Sequence, residues 1–228
     1  MLLKQAESGG GCCLRLYSWA TPTLSLGYFQ RLEDRLRHAP SIGCPVVRRI
    51  SGGGAIVHDR EVTYSLSVPA DHRLATKRRM TYKSIHQTLV ELLKKFGVES
   101  SIYGAKEHTE SAVLKPFLCF QRRSPGDIVV GRVKVVGSAQ RRTKGAILQH
   151  GSVLVGCSVA APELLALNSI GAKTVETNEL VGAWLEKLST RLDLSWKTEP
   201  LSKDEKSRAK WLSDHKYGSD EWTRHRCQ

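Results

Sequence analysis

The sequence lacks the patterns that define several large functional classes. No stretch has the apolar core of a signal peptide or the length of a membrane span, so we expect a soluble, cytoplasmic protein. The six cysteines form no CxxC pair and have no histidine at ligand spacing, which argues against a metal site. A disulfide framework is not expected either, because 228 residues with 40% hydrophobic content can build a core unaided.

Aromatic residues are also scarce, at 7% of the chain, whereas the formal net charge is +13. Basic clusters lie at residues 77–79, 122–123 and 141–142, without the interleaved aromatic residues of a base-stacking surface. This composition argues against a nucleic-acid partner. Nucleic acid, an anionic membrane surface and acidic proteins could each be attracted by the net positive charge, and charge alone does not choose among them.

The most informative stretch is RRISGGGAIVHD, residues 48–59, in which three consecutive glycines let backbone amides approach a ligand. Apolar residues at 44–47 and 55–57 predict strands on either side of it. No GK[ST] follows and no helix opens after the glycines, which excludes a Walker loop and a dinucleotide fingerprint. A flexible hairpin without a ligand remains an alternative for the three glycines alone.

Hydrophobic periodicity predicts an α+β protein with a mixed β-sheet and packed helices. Predicted strands cover residues 13–19, 24–27, 62–68, 98–103, 127–131, 132–136, 146–148 and 152–155. Predicted helices cover residues 30–38, 83–96, 162–167 and 178–192, and a capped helix starts at Ser202. A long irregular connection at 104–125 contains Cys119, a placement typical of functional loops. We expect a catalytic domain at 1–200 and a C-terminal helical appendage at 201–228.

Three motifs in order, RRISGGGAIVHDREVTYS, VKVVGSAQRR and ILQHGSVLV, resemble the lipoate and biotin protein ligase and transferase superfamily. The resemblance extends from WATPTLSLGYFQ near residue 19 to KYGSDEWT near residue 216. It implies a biotin/lipoate protein ligase-like catalytic domain. Members of this superfamily attach cofactors to lysines of carrier domains.

Within the superfamily, CFQRRSPGD resembles the cysteine-dependent octanoyltransferases, and Lys134 matches the family's invariant lysine. The sequence EVTYS after the glycine loop is also closer to the transferases than to the ligases. Arg122-Arg123 departs from the pattern, which more often has small residues and proline there. The resemblance implies that octanoyl passes from an octanoyl-acyl carrier protein, through a Cys119 thioester, to a lysine of a lipoyl domain. Glycine cleavage H protein and 2-oxoacid dehydrogenase E2 are the implied acceptors, and no cofactor is implied.

Two other functions remain open from the sequence. In an ATP-dependent lipoate-protein ligase, Arg49, Lys134 and the glycine loop would hold an acyl-adenylate, with ATP and Mg as cofactors. The absence of a visible accessory domain weakens that alternative. A non-catalytic basic protein that binds an acidic carrier or nucleic acid is the second alternative.

We predict Cys119 and Lys134 as the catalytic residues. A nearby ammonium stabilises a thiolate and a developing oxyanion, and backbone amides near Gly137 can add donors. The alternatives are an inert buried thiol at 119 and a solvated strand lysine at 134.

The predicted substrate-binding residues follow the three motifs, and two of them, His58 and His150, are assigned to shaping the pocket. A surface ion pair is the alternative role for the arginine of the set. Val57, Tyr64 and Val136 are candidate walls for the acyl chain. The full set is Arg49, Ser51, Gly52, Gly53, Gly54, His58, Tyr64, Gly137, Ser138, Ala139, His150 and Gly151.

Overall fold

The strands form two sheets in the computed structural model, which describes residues 2–76, 78–104, 116–171 and 173–226, with the backbone alone at 78–80. The large sheet is antiparallel and has the order β1-β5-β9-β8-β7-β6. Its strands are β1 Cys13–Tyr17, β5 Glu61–Pro69, β6 Ser101–Ile102, β7 Ile128–Val130, β8 Val133–Arg142 and β9 Ala146–Leu154. The small sheet has the order β3-β2-β4, with β2 Thr23–Leu26, β3 Val46–Arg48 and β4 Ile56–His58.

Helices connect and cover these strands. The α-helices are α1 Leu2–Glu7, α2 Arg73–Thr76, α3 Arg78–Lys95, α4 Leu167–Ile170, α5 Thr177–Leu192, α6 Lys203–Leu212 and α7 Asp220–His225. Short 3₁₀ turns lie at Leu32–Arg37, Ala39–Ser41 and Cys119–Gln121, and a π turn at Ser213–Tyr217. The α+β fold expected from the sequence is confirmed.

The main core lies between the large sheet and two long helices, α3 and α5. Leu89 of α3 and Trp184 of α5 are completely buried, and the Trp184 ring meets Tyr64 of β5 edge-on with centroids 5.1 Å apart. Burial of such large apolar side chains supplies most of the free energy of folding. Both helices follow the apolar periodicity of the sequence, which predicted helices at 83–96 and 178–192.

The longest strands extend beyond the sequence prediction. The pattern break expected at Gly137 is wrong, because β8 continues to Arg142. The separate strands expected at 146–148 and 152–155 are one strand, β9, and its register pairs Gly137 with Ser152 and Ser138 with Gly151. Pairing with β9 holds Gly137 in the sheet, and pairing with β5 and β8 holds Gly151, which outweighs the low intrinsic preference of glycine for strand.

Other expected elements differ in extent or place. The helix predicted at 30–38 is a 3₁₀ turn, and the helix predicted at 162–167 is replaced by turns followed by α4. The strand predicted at 98–103 is reduced to Ser101–Ile102. Part of the connection predicted at 104–125, the cluster at 77–79 and Cys227 lie outside the residues described in full. Periodicity alone does not separate short helices from turns, since three or four residues carry little signal.

The small sheet carries the glycine loop between β3 and β4, which both pair with β2. The loop and the Lys134 strand therefore belong to different sheets rather than to one. A second core containing Leu24, Leu26 and Val57 joins the small sheet to Phe117 and Leu118. This core places the segment that precedes Cys119 beside the glycine loop.

The last helix, α7, packs back onto β3. Ser202 caps α6 as predicted, accepting a hydrogen bond from the Glu205 amide at 3.1 Å. The Trp222 indole donates to the Arg48 carbonyl at 2.9 Å, and the Arg48 guanidinium donates to the Thr223 carbonyl. The domain boundary after residue 200 stays a prediction. Within the described residues, no helix combines the length and apolar character needed to cross a membrane.

Candidate active site

Cys119 is fixed against the exit of the glycine loop by backbone pairing. Its amide donates to the Ala55 carbonyl at 2.7 Å, and the Ala55 amide donates to the Phe117 carbonyl at 3.0 Å. A β-carbon at Gly54 would lie 2.9 Å from both the Cys119 nitrogen and the Phe117 oxygen, so the approach requires glycine. Backbone hydrogen bonds between segments far apart in sequence thus hold the Cys119 thiol beside the glycine loop.

Lys134 lies between the Cys119 thiol and a carboxylate. Its Nζ donates to the Cys119 Sγ at 3.7 Å and to Asp127 Oδ2 at 2.8 Å. Lys134 is 5% exposed and Asp127 3%, so Lys134 is not a solvated strand residue. Burial raises the pKa of Asp127, opposed by the Lys134 ammonium. The arrangement supplies one buried cation beside a partly buried thiol.

Gly137 makes room for the lysine side chain. A β-carbon at this position would lie 2.6 Å from Lys134 Cε and 3.0 Å from its Nζ. Lys134 and Gly137 belong to the same strand, β8, which carries the GSAQ motif. A side chain at position 137 would collide with Lys134, which explains the glycine in this motif.

Arg49 points into the glycine loop rather than to a surface carboxylate. Its guanidinium donates to the carbonyls of Ser25, Gly52 and Gly54 at 2.8, 3.0 and 2.6 Å. Burial lowers the pKa of Arg49 to about 10, with Cys119 acting in the opposite direction. A β-carbon at Gly53 would lie 3.1 Å from this guanidinium and 4.0 Å from Cys119 Sγ. The loop, the arginine and the thiol therefore share one site.

Ser51 and His150 connect the loop to β9. The Ser51 hydroxyl lies 2.6 Å from His150 Nε2, and burial lowers the pKa of His150 to about 4, assisted by Arg49 and His58. His150 is therefore neutral near pH 7. In the sheet it pairs with Ala139, which has no polar side-chain atom.

Ser138 lies at the centre of a buried hydrogen-bond chain. His86 Nδ1 donates to the Gly126 carbonyl at 2.6 Å, so its Nε2, at 2.6 Å, accepts from the Ser138 hydroxyl. Burial lowers the pKa of His86 to about 4, which keeps the ring neutral. The Ser138 oxygen then accepts from the Tyr64 hydroxyl at 2.6 Å, which accepts from Gln149 at 2.9 Å. The donor and the acceptor are thereby fixed in each hydrogen bond of this chain.

Gly151 stands between Tyr64 and Ser138 in the sheet register. It pairs with Tyr64 of β5 on one side and with Ser138 of β8 on the other. A β-carbon there would lie 2.8 Å from Tyr64 Cε1, so the absent side chain lets the two hydroxyls meet.

His58 belongs to a separate buried group. Its Nδ1 lies 2.5 Å from Glu61 Oε1, and its ring stacks on Trp19 with centroids 4.3 Å apart. The Glu61 oxygen also accepts from Thr63 and, at 2.9 Å, from Ser152. These contacts hold His58 in place through its Nδ1 side.

The other residues that the sequence suggested for the site make contacts elsewhere in the structure. Arg122 donates to the Pro116 carbonyl, so its charge is used within the loop. Among the suggested acyl-chain walls, Val57 packs in the small core and Tyr64 and Val136 in the main core. A cavity of about 380 Å³ is instead lined in part by Phe120, Val133 and Lys134.

Sequence reasoning missed Asp127 and His86. The hairpin predicted about Gly131 already placed the start of β7 opposite the Lys134 strand, and this signal pointed to Asp127. His86 lies on the inner face of α3, where helical periodicity gives the face and no partner. The described part of the chain contains no cluster of three or more potential metal ligands.

Comparison with known proteins defines the class. The family model of the lipoyl protein ligase A/B catalytic domain matches residues 1–189. The chain belongs to this family. Octanoyltransferase LipM of Geobacillus kaustophilus is 31% identical over 236 residues, covering 92% of this chain and 85% of that protein, and Staphylococcus epidermidis LipM has the same values.

The fold comparison agrees with the family. The bipartite lipoate protein ligase of Thermoplasma acidophilum, solved in a study that includes its E2 lipoyl domain, superimposes with a TM-score of 0.72. It is 20% identical, and the match covers 99% of this chain and 90% of that one. At this identity the match establishes the fold.

Proposed function

We propose that this protein is an octanoyltransferase of protein lipoylation that carries the acyl group on Cys119. The observation that carries the proposal is the 3.7 Å contact between Lys134 Nζ and Cys119 Sγ beside the glycine loop. The LipM relatives, which match over most of the chain, support the same reaction class.

In the first half-reaction the Cys119 thiolate attacks the carbonyl carbon of an octanoyl thioester. The new C–S bond forms as the carbonyl becomes an oxyanion, and the carrier's C–S bond then breaks. The Lys134 ammonium stabilises the thiolate before attack and the oxyanion during it. The departing carrier thiolate takes up the proton that Cys119 lost.

In the second half-reaction the neutral amine of an acceptor lysine attacks the Cys119 thioester. An amide bond forms, the thioester C–S bond breaks, and the departing Cys119 thiolate takes up the proton that the amine gives up. The thioester already supplies the driving force, so the proposed reaction uses neither ATP nor a metal. Asp127 balances the lysine charge in the interior throughout both steps.

The proposed donor is an octanoyl-acyl carrier protein, and the proposed acceptors are lipoyl-domain proteins such as glycine cleavage H protein or 2-oxoacid dehydrogenase E2. A net charge of +13 supports acidic partners, since opposite charges accelerate encounter. We place the remaining motif residues at the pocket, with Arg49, Ser51 and His150 shaping the glycine loop.

The test is intact mass of the protein after mixing with octanoyl carrier protein without ATP. We expect a hydroxylamine-labile octanoyl adduct on the wild type and none on Cys119→Ala. Cys44→Ala serves as the matched control, because Cys44 is also a partly buried free thiol, and should keep the adduct. Activity that appears only with ATP and free acid, and survives Cys119→Ala, would instead identify an ATP-dependent lipoate ligase.

A further inference from the structure

The cavity beside Lys134 is lined by residues outside the glycine loop. It measures about 380 Å³, a size that suits one small ligand. Phe120 and Lys134 line it, so it adjoins the residue that follows the thiol and the residue that donates to the thiol. A group that enters this cavity therefore approaches Cys119.

The walls combine apolar surface with positive charge. Val133 and Leu164 provide apolar surface, whereas Arg123 and Arg132 bring guanidinium groups to the same space. Arg132 is exposed and has no ion-pair partner within the described residues. Arg123 lies over the Tyr103 ring, with its guanidinium carbon 5.5 Å from the centroid.

Among the described residues of this wall, the one acid is Glu163, and it already has partners. Its Oε1 lies 2.7 Å from His38 Nε2 and accepts from Gln121 at 3.3 Å. The charge of Lys134 is likewise held by Asp127. Arg132 therefore brings to the cavity a positive charge that these acids do not neutralise, beside a partly apolar lining.

We propose that this cavity binds the phosphorylated arm of the acyl donor, with Arg132 on the phosphate. Guanidinium groups bind phosphate oxygens through paired charge-assisted hydrogen bonds, and the apolar walls suit the chain between phosphate and thioester. Arg132 lies in the turn that directly precedes β8, two residues and at most about 7 Å of chain before Lys134, and its long side chain adds to this reach. The phosphate thus lies at the outer end of the cavity and the thioester at Lys134. This inference rests on the proposed octanoyl transfer.

The experiment compares two small donors, octanoyl-4′-phosphopantetheine and octanoyl-pantetheine, below saturation. The measurement is the rate of Cys119 acylation by intact mass, taken as the ratio between the two donors. For the wild type we expect a ratio of about tenfold or more, which one charge-assisted hydrogen bond can supply. Arg132→Ala should bring the ratio close to one. Arg142→Ala removes an exposed arginine at the far end of β8 from Arg132 and should keep the wild-type ratio.

A wild-type ratio near one, or an unchanged ratio in Arg132→Ala, overturns the phosphate site while octanoyl transfer stands. If neither small donor acylates Cys119 and octanoyl carrier protein does not either, the proposed function fails. Calorimetry with 4′-phosphopantetheine and pantetheine then decides the site, since Arg132 must still favour the phosphorylated compound. A site that binds ATP and not 4′-phosphopantetheine would assign the phosphate contact to a nucleotide and would overturn the proposal.

Discussion

The Lys134 ammonium lies 2.8 Å from the Asp127 carboxylate in a part of the protein that excludes solvent almost completely. A buried pair of this kind compensates the cost of placing a charge in the interior. Because the same ammonium also donates to Cys119, the carboxylate and the thiol compete for one cation.

Removing the charge of Asp127 should make the Cys119 thiol more reactive. In Asp127→Asn the ammonium is no longer shared with a carboxylate, so it stabilises the Cys119 thiolate more strongly. We expect iodoacetamide to alkylate Cys119 faster in this variant than in the wild type at pH 7. Asp193→Asn, at an exposed helix end, is the control and should leave the alkylation rate unchanged. A rate that falls or stays the same in Asp127→Asn would contradict the shared-cation arrangement.

Lys134→Met should separate catalysis from stability. Loss of the ammonium removes stabilisation of the oxyanion, and we expect Cys119 acylation to slow by roughly a hundredfold. It also leaves Asp127 buried without its partner, at a cost of about 3 kcal/mol in the free energy of unfolding.

The double variant Lys134→Met with Asp127→Asn tests both parts together. It should recover most of the stability in urea unfolding and none of the acylation rate. Recovery of the rate would show that Lys134 acts only as the structural partner of Asp127.

Because His86 is buried, the free energy of unfolding should fall as the pH is lowered. Burial lowers the pKa of His86 to about 4, from a usual value near 6.5, so the unfolded chain binds a proton between these values. The stability that the neutral ring contributes is present above pH 6.5 or so and is lost as pH falls towards 4. His86→Asn keeps a donor for the Gly126 carbonyl and does not titrate.

Urea unfolding between pH 7 and pH 4 measures this contribution. We expect the wild type to lose roughly 3 kcal/mol more than His86→Asn over this range. His215→Asn replaces an exposed histidine and should follow the wild type. Equal losses in wild type and His86→Asn would mean that folding does not lower the pKa of His86 and would contradict this prediction.

Much of the architecture was predictable from periodicity. The long helices α3 and α5 and strand β5 follow repeating apolar patterns, because each buries one face against the same core. The capped start of α6 follows from Ser202 and Glu205, which interact over one helical turn. The unbroken course of β8 and β9 through Gly137 and Gly151 was not predictable locally, since neighbouring strands hold these glycines in place.

The candidate site also has features that the sequence predicted and features that it did not. The sequence by itself determined the residue types and their order: the glycine loop with Arg49, a cysteine in a long connection, and a lysine in a strand. Only the tertiary structure decided that the Cys119 thiol lies 3.7 Å from Lys134, that Asp127 shares the lysine, and that Ala55 pairs beside the thiol. These contacts join two sheets and a connecting loop, and their geometry depends on how the cores pack. Side-chain spacing along one strand or helix carries no information about such contacts.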